Sequence, residues 1–381
     1  MDTLTHALTG AAISDCWFRR RLGPVSTPFA LLVTALPDVD IFTYLMSSES
    51  AWTHHRGYTH SFFPMLVAAP LFGYIGYRLS KRQGSWGLWS LLAVLCLFSH
   101  TIIDLVTSWG TMPLLPFSNA RISWDVAPVL DLFVLALTAS SFVANRILRW
   151  ERVDYFINPL AFPVVHRHPH RQRAADLVAK VVVALVVLYL LVGWQQNRQT
   201  VRIAREELTR HGITPVEVRA FPVMFTYIAW EIAARDADGA IYNAAYSSYA
   251  PEPMRFVKHT TLPAAEVGEL LSTPLGSMFA WYTQGMYVAR RITMDGESRL
   301  VMEDRRFFGL DDAARSRFVM EFPEGADGSV DSGRVVRVQL TWDEARAEAE
   351  RLWELTWGGH VTSTVAQGAG DAITDGDTKS E

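Results

Sequence analysis

Residues 54–61, "HHRGYTHS", set three histidines directly before the apolar run "FFPMLVAAPLFGYIGY" at 62–77. A helix of about 20 apolar residues crosses a bilayer, so this run belongs to a segment long enough to be a membrane span. A histidine at the edge of such a span costs free energy unless a hydrogen bond or a ligand replaces its lost water. The stretch therefore predicts a membrane helix with a polar site at one end.

Further apolar runs fill the first half of the chain. Of the 381 residues, 50% are hydrophobic and 19% are charged, and the mean hydropathy is positive, which argues against an ordinary soluble domain. The runs cover 28–46, 62–79, 86–107, 126–145 and 175–194. The last four predict membrane-spanning helices, and the first predicts a weaker one.

The distribution of these runs predicts three regions. Residues 1–194 are expected to form an α-helical polytopic membrane domain; its N-terminus is interpreted as a retained short helix because the basic residues follow the apolar stretch. Residues 195–360 contain hairpin patterns around Asp-Gly turns and two amphipathic helices, which predict a soluble α+β domain. Residues 361–381 are rich in Gly, Thr, Ser and Asp and are predicted to be disordered. Cys16 and Cys96 lack CxxC spacing, so neither a disulfide nor a cysteine metal site is expected.

The positions of Lys and Arg in the short loops predict the orientation. The loops on one side carry Arg19, Arg20, Arg21, Arg78, Lys81, Arg82, Arg146, Arg149, Arg152, Arg167, Arg171 and Arg173. The opposite loops, 47–61 and 108–125, carry Arg56 and Arg121. Basic loops stay in the cytoplasm. The histidine stretch and the soluble domain are therefore predicted to face the periplasm of a bacterial inner membrane.

Histidine and aspartate residues from separate segments are predicted to lie together at the periplasmic side of the membrane. His100 and Asp104 are four residues apart in the run 86–107 and share one helix face. The other members are His6, Asp38, Asp40, His55, His60 and Asp125. Ionisable residues in a membrane are usually functional, and imidazole with carboxylate suits zinc, manganese or iron. The sequence therefore predicts a divalent metal site with enough ligands for more than one ion.

Several of these residues also have purely structural interpretations. A lone histidine such as His6 is often a hydrogen-bonded core residue, and Asp38 and Asp40 follow Pro37 and could form a turn. Asp131 is expected either to orient a ligand histidine or to pair with a neighbouring helix. The tract "HRHPHRQR" at 166–173 is interpreted as a basic anchor to anionic lipid instead of a metal site.

Five ordered motifs resemble one known family. "MDTLTHALTG", "LPDVD", "HRGYTHS", "SHTIIDLVTSWGT" with "PFS", and "RISWD" are similar, over roughly residues 1–135, to the YdjM-like inner-membrane metal-dependent hydrolases. That family resembles the zinc-dependent phospholipase C and single-strand nuclease superfamily, whose all-helical enzymes hydrolyse phosphoesters. The resemblance implies zinc as the metal and implies the ligands His6, Asp38, His55, His60, His100 and Asp104, with Asp40 and Asp125 as further members. His54 lies outside the motif.

The expected function follows from the site and the resemblance together. A metal-activated water would attack a phosphoester of a phospholipid or another lipid-linked phosphate, since the site lies at headgroup level. Arg56 and Asp40 are the predicted catalytic residues; Arg56 would offset developing phosphate charge or contact a lipid headgroup. Membrane lipid is the expected partner, and no nucleic acid is expected. The alternatives are a membrane metalloprotease or amidase, which the absence of HExxH disfavours, and a non-enzymatic metal-binding protein.

Overall fold

The chain forms two compact units in a computed structural model. The structure describes residues 1–45, 48–149, 153–154, 164–165, 169–225, 227–251, 253–294, 297–309, 312–316, 318–323, 333–337, 342–357 and 372–373. The first unit contains Met1–Ile41, Arg56–Ile122 and Val129–Leu191, and the second contains Phe42–His55, Ser123–Pro128 and Val192–Glu381. The domain boundary that the sequence places after residue 194 stays a prediction.

Helices dominate the first 210 residues of the chain. In chain order they are α1 (Thr3–Ile13), α2 (Arg19–Leu22), α3 (Ser26–Ala35), α4 (Ser48–His54), α5 (Phe62–Leu79), α6 (Trp86–Leu105), α7 (Leu132–Leu148) and α8 (Pro169–Arg210). Of these, α4 belongs to the second unit, and α8 begins in the first unit and ends in the second. A π-helical turn, Ser14–Phe18, joins α1 to α2, and two short strands, β1 (Val153–Asp154) and β2 (Val164–Val165), pair between α7 and α8.

Three of the described helices are long and apolar enough to cross a membrane, namely α5, α6 and α8. They match the predicted spans at 62–79, 86–107 and 175–194. The weaker predicted span at 28–46 does not form one continuous α-helix, because α3 ends at Ala35 and a 3-10 segment, Leu36–Leu45, follows. Pro37 lacks a backbone N–H, which disfavours continuation of the α-helix.

The fourth predicted span, 126–145, is replaced by a shorter apolar helix. The helix α7 has 17 residues and begins at Leu132. Asp131 caps it by accepting hydrogen bonds from the backbone N–H groups of Phe133 and Val134, both at 3.0 Å. A capped N-terminus satisfies backbone donors that an apolar helix would otherwise leave unpaired.

The helices α5 and α6 form an antiparallel hairpin that positions the site. Ser85 caps α6 by accepting from Leu88 N–H at 3.2 Å. Trp89 of α6 is fully buried and meets the ring of Phe29 from α3 edge-on, with centroids 5.0 Å apart. Because the hairpin is antiparallel, the start of α5 and the end of α6 lie at the same end of the pair. His60 therefore lies next to His100 and Asp104.

The second unit is built mainly from antiparallel sheets. Its strands are β3 (Glu217–Pro222), β4 (Ala229–Arg235), β5 (Ile241–Ser247), β6 (Phe256–His259), β7 (Tyr287–Met294), β8 (Glu297–Asp304), β9 (Phe308–Gly309), β10 (Asp312–Ser316), β11 (Phe318–Pro323), β12 (Arg334–Arg337) and β13 (Ala372–Ile373). One sheet has the order β13-β6-β5-β4-β3, another has the order β12-β11-β8-β7, and β9 pairs with β10. The helices α9 (Ala264–Ser272), α10 (Pro274–Tyr282) and α11 (Trp342–Trp357) complete the unit.

The sequence patterns of this region predict its hairpins correctly. The strands β4 and β5 pair around the turn that contains Asp238 and Gly239, and β7 pairs with β8. The helix α8 ends at Arg210, and Gly212 follows with a positive φ of 77°. The helical pattern near residue 350 corresponds to α11. Of the predicted disordered tail, the structure describes Ala372–Ile373, which pair with β6.

Candidate metal centre

The ring of His60 is held at the start of α5 by a hydrogen bond from its Nδ1. This nitrogen lies 3.1 Å from Asp40 Oδ2 and 3.0 Å from Thr59 Oγ1. Asp40 accepts and does not donate when ionised, and the Thr59 hydroxyl donates to the same carboxylate oxygen at 2.8 Å. The proton of neutral His60 must therefore lie on Nδ1, which leaves the lone pair on Nε2.

The ring of His100 is held in the same manner by a backbone group. Its Nδ1 lies 2.7 Å from the carbonyl oxygen of Thr34, which can only accept. The lone pair of neutral His100 is therefore also on Nε2. The two Nε2 atoms of His60 and His100 lie 2.9 Å apart. Two lone pairs at this distance repel each other, so a proton or a cation is needed close to both.

Two carboxylates complete the cluster. Asp38 Oδ1 lies 3.7 Å from His60 Nε2 and 3.5 Å from His100 Nε2. Asp104 Oδ2 lies 3.2 Å and 3.6 Å from the same two nitrogens. One ligand atom from each of these four residues lies within 4.8 Å of the others. Asp38 is 15% exposed, whereas the other three side chains are fully buried.

Cationic groups and the ring of His6 surround the other oxygen of Asp104, Oδ1. Asp104 Oδ1 contacts the α-amino group of Met1, lies 3.1 Å from Arg56 Nη2 and lies 3.2 Å from His6 Nε2. His6 also stacks on His100 with ring centroids 3.7 Å apart. The two oxygens of Asp104 therefore have different surroundings: Oδ1 is bound by protein donors, and Oδ2 faces the two imidazoles.

The residues present fit a divalent metal ion. Among the described residues, Asp38 Oδ2, Asp104 Oδ2 and His6 Nδ1 are buried and have no hydrogen-bond partner. The carboxylates of Asp104, Asp38 and Asp40 all have an oxygen within 3.7 Å of a ring nitrogen of His60. The cluster therefore attracts positive charge to the position that the two Nε2 atoms share. Neutral imidazole and carboxylate are a donor set that zinc, manganese and iron accept.

The structure does not bring every predicted site residue into this group. Asp125 belongs to the second unit, where both of its oxygens contact the guanidinium of Arg219, at 3.0 Å and 2.7 Å from Nη2. His55 is also assigned to the second unit, and its backbone N–H donates to Ala51. His54 is exposed and contacts the carbonyl oxygen of Ser50 through Nδ1 at 3.0 Å.

Two further predicted residues acquire defined contacts. Asp131 caps α7 and accepts a hydrogen bond at 2.5 Å from the hydroxyl of Tyr189, which corresponds to the helix-pairing alternative. Arg56 is buried, with a positive φ of 61°, and its Nη1 donates to Thr107 Oγ1 at 2.8 Å. Its backbone N–H donates to Asp40 Oδ2 at 2.9 Å. Arg56 therefore connects the aspartates on both sides of the cluster.

Some partners of the cluster were missed by reasoning from sequence. The carbonyl oxygen of Thr34 fixes the ring of His100, and Thr59 supports Asp40. Every residue has a backbone carbonyl, so the residue type at position 34 does not indicate this contact. Thr59 directly precedes the candidate ligand His60, but its position in the sequence does not indicate that its hydroxyl binds Asp40.

Comparison with known proteins covers the part of the chain that holds the cluster. A family model described as YdjM inner membrane protein matches residues 1–200. The uncharacterized protein YfhP of Bacillus subtilis (strain 168) is 31% identical over 147 residues, which cover 35% of this chain and 43% of that relative. The chain thus spans less than half the length of that relative. No solved structure matches the chain. The family match extends over more than half of the 381 residues and includes every residue of the His/Asp cluster, so the chain belongs to the YdjM inner membrane protein family.

Proposed function

We propose that this membrane protein is a metal-dependent hydrolase that cleaves the phosphoester of a phospholipid or of another lipid-linked phosphate. One observation carries the proposal. The Nε2 atoms of His60 and His100 face each other at 2.9 Å, beside Asp38 Oδ1 and Asp104 Oδ2, and the second of these oxygens lacks a hydrogen-bond partner among the described residues. Such an arrangement is costly unless a proton or a cation lies between the two nitrogens, and buried ionisable groups in a membrane protein are usually retained for function.

The four residues that would hold the metal are Asp38, His60, His100 and Asp104. A divalent ion such as zinc supplies a water of lowered pKa and withdraws charge from a phosphoryl oxygen. His6 and Asp40 contact these ligands: His6 Nε2 lies 3.2 Å from Asp104 Oδ1, and Asp40 Oδ2 lies 3.1 Å from His60 Nδ1. The predicted resemblance to the zinc-dependent phospholipase C superfamily implies the same chemistry.

The contacts of Asp40 and Arg56 support positioning roles. Asp40 accepts from His60 Nδ1 and thereby fixes the tautomer that presents Nε2 to a metal. Arg56 binds Oδ1 of Asp104 and orients the other oxygen toward the cluster. In the proposed reaction, Arg56 also limits the excess of negative charge when an anionic substrate approaches.

The surroundings of Asp38 favour an amphiphilic substrate. Asp38 is the most accessible member of the cluster. Large apolar side chains are exposed close to two of the ligands along the chain: Val39 follows Asp38, and Tyr58 precedes His60. A substrate with a phosphate and acyl chains could satisfy both the polar cluster and these apolar neighbours. The proposal places the site at the outer surface of the inner membrane, as the basic loops predict.

Metal analysis of the purified protein tests the site. Wild-type protein should carry stoichiometric divalent metal, and His100→Ala should lose most of it because one of the two facing imidazoles is removed. Asp40→Ala should weaken metal binding by about 10- to 100-fold, since it removes the acceptor that orients His60. His54→Gln is the matched control and should retain the metal, because His54 is exposed and contacts Ser50. Equal metal content in wild type and His100→Ala would overturn the assignment.

Turnover assays test the reaction. Metal-loaded protein should release phosphate or a headgroup from lipid phosphoesters in detergent or vesicles, a chelator should stop the release, and His60→Ala should lower it severely. Loaded protein that hydrolyses peptides or amides but no phosphoester would replace the proposal by the metalloprotease alternative. Loaded protein that is inactive on both substrate classes would favour a non-enzymatic metal-binding role.

A further inference from the structure

The loop "PLLPFS" at residues 113–118 exposes large apolar side chains in the first unit. Phe117 is 78% exposed and Leu114 is 47% exposed. The ring of Phe117 also meets the ring of Phe63 edge-on, with centroids 5.2 Å apart. No charged residue occurs between 113 and 118. We name these six residues the 113–118 loop.

The carbonyl groups of this loop are bound by residues at the start of α5. Phe62 N–H donates to the carbonyl oxygen of Pro113 at 3.0 Å. The hydroxyl of Ser61 lies within hydrogen-bonding distance of two carbonyl oxygens, 3.0 Å from that of Pro113 and 2.6 Å from that of Leu115. These contacts tie the loop to the residue that directly follows His60.

Contacts within the loop and its two prolines account for some of the other backbone polar groups. The backbone N–H groups of Phe117 and Ser118 donate to the carbonyl oxygen of Leu114, at 3.0 Å and 3.1 Å. Pro113 and Pro116 have no N–H group to satisfy. An irregular segment is normally excluded from lipid because its backbone groups lose water. Here the hydrogen bonds to Ser61 and Phe62, the contacts within the loop and the two prolines reduce that cost.

The residues next to the loop indicate whether water or lipid covers its exposed side chains. Phe63, Leu66 and Val67 are exposed on α5, one of the helices that are apolar and long enough to span a membrane. The contact between Phe63 and Phe117 makes the exposed surface of the loop continuous with this lipid-facing surface. Aromatic and aliphatic side chains at the end of a span insert into the boundary between headgroups and acyl chains.

We propose that the 113–118 loop inserts into the membrane leaflet at the metal-cluster end of α5, with lipid acyl chains as its partner. Phe117 and Leu114 lie among the acyl chains, and Ser61 holds the loop beside His60. The inference does not depend on bound metal or on hydrolysis. It assigns a second, loop-mediated contact with lipid in addition to the spans.

Nitroxide labels on the full-length protein in phosphatidylcholine vesicles test this placement. Phe117→Cys and Leu114→Cys provide two exposed attachment sites, whereas the native Cys16 and Cys96 are buried and react poorly. Leu66→Cys on α5 is the lipid-facing control, and Gln83→Cys in the exposed α5–α6 turn is the aqueous control. Power-saturation electron paramagnetic resonance compares collisions with oxygen, which concentrates in lipid, and with a water-soluble nickel chelate.

Labels at 114 and 117 should show a several-fold higher ratio of oxygen to nickel collisions than the label at 83, and a ratio closer to that at 66. A ratio equal to that at 83 would overturn the inference, because the loop would then lie in water. Low collision rates with both reagents would also overturn it, since they would show that protein, such as a second copy of this chain, covers the loop.

Discussion

The two oxygens of the buried Asp104 carboxylate make two separate sets of contacts. Its Oδ1 receives the guanidinium of Arg56 at 3.1 Å and the ring nitrogen of His6 at 3.2 Å. Its Oδ2 has no hydrogen-bond partner among the described residues and lies 3.2 Å from His60 Nε2. A carboxylate that is anchored by one oxygen loses little further freedom when the other binds a ligand. Anchoring of this type pre-organises a metal site.

His259 of the second unit allows a residue-scale prediction about pH. It is 3% exposed, and neither ring nitrogen has a hydrogen-bond partner among the described residues. Burial, followed by the nearby guanidinium groups of Arg305 and Arg290, lowers its pKa from 6.5 to about 3; Glu303, which binds both arginines, is the nearby carboxylate. The unfolded chain therefore binds a proton below about pH 6.5, while the folded chain stays neutral there.

The resulting stabilisation is present above about pH 6.5 and is lost as the pH falls toward 3. Between about pH 7.5 and 5.5 the free energy of unfolding should drop by about 1.4 kcal/mol from this group alone. Hydrogen exchange of peptides that cover β5 and β6, corrected for intrinsic rates, measures the change. His259→Gln should flatten this part of the pH dependence, and the surface variant His54→Gln should not. An unchanged slope in His259→Gln would show that His259 is not buried in its neutral form.

The parts of the site that sequence predicts are those with a recognisable residue type and spacing. His60, His100 and Asp104 stand out because ionisable residues are rare beside apolar runs, and the structure brings all three together with Asp38. The carbonyl oxygen of Thr34 could not be predicted, since any residue at that position offers the same atom. The assignment of Asp125 and His55 relied on sequence position at one membrane level, which does not fix direction or distance. Their predicted role as ligands remains untested.

At the scale of elements, glycines decide how closely α5 and α6 approach. A Cβ atom on Gly73 would lie 2.5 Å from the backbone nitrogen and Cα of Ser90, and one on Gly76 would lie 2.5 Å from the ring of Trp89. Backbone atoms cannot rotate away as a side chain can, so a larger residue at 73 must separate the two helices. Small residues at such crossings allow the close packing that stabilises helix pairs in membranes.

Gly73→Ala should therefore lower the melting temperature of the detergent-solubilised protein, with a cost of about 1–3 kcal/mol. The same change should reduce metal retention, because His60 precedes α5 while His100 and Asp104 lie on α6. Gly87→Ala is the matched control, since a Cβ atom on this α6 glycine would meet nothing within 4 Å. Thermal unfolding followed by intrinsic tryptophan fluorescence measures the first effect, and metal analysis measures the second. Equal melting temperatures for the two variants would contradict this account of the interface.

Elements with a strong hydrophobic periodicity are predicted well from sequence, whereas elements interrupted by contacts with other segments are not. The helices α5 and α6 and the β4–β5 hairpin follow directly from apolar runs and an Asp-Gly turn. The 3-10 segment Leu36–Leu45 interrupts an equally apolar stretch. The π-helical turn Ser14–Phe18 depends on packing, as its Asp15 accepts a hydrogen bond from Thr27 at 2.8 Å. Such interruptions arise from contacts between segments, which a local pattern does not contain.

At the scale of the whole molecule, the distribution of charge predicts the side of the membrane on which each region lies. Twelve Lys and Arg residues occupy the loops on one side, and Arg56 and Arg121 are the exceptions on the other. Both exceptions are buried in the structure, where Arg56 binds Asp104 and Arg121 donates to the carbonyl oxygen of Gly110. They are therefore internal residues and do not contribute as loop charges exposed to solvent.

Paired reporter fusions in a Gram-negative host test this orientation. Alkaline phosphatase is active only after export, and green fluorescent protein fluoresces only in the cytoplasm. A fusion after residue 360 should give phosphatase activity, and a fusion after Gln83 should give fluorescence, because the basic turn that contains Lys81 and Arg82 resists translocation. Neutralising this turn by Lys81→Gln with Arg82→Gln should weaken the fluorescence of the second fusion. The exchange of an exposed polar residue, Gln83→Ser, adds and removes no charge and should leave it unchanged. The opposite pattern in the first two fusions would turn the map around, so that the His/Asp cluster would face the cell interior and its substrate would come from the inner leaflet.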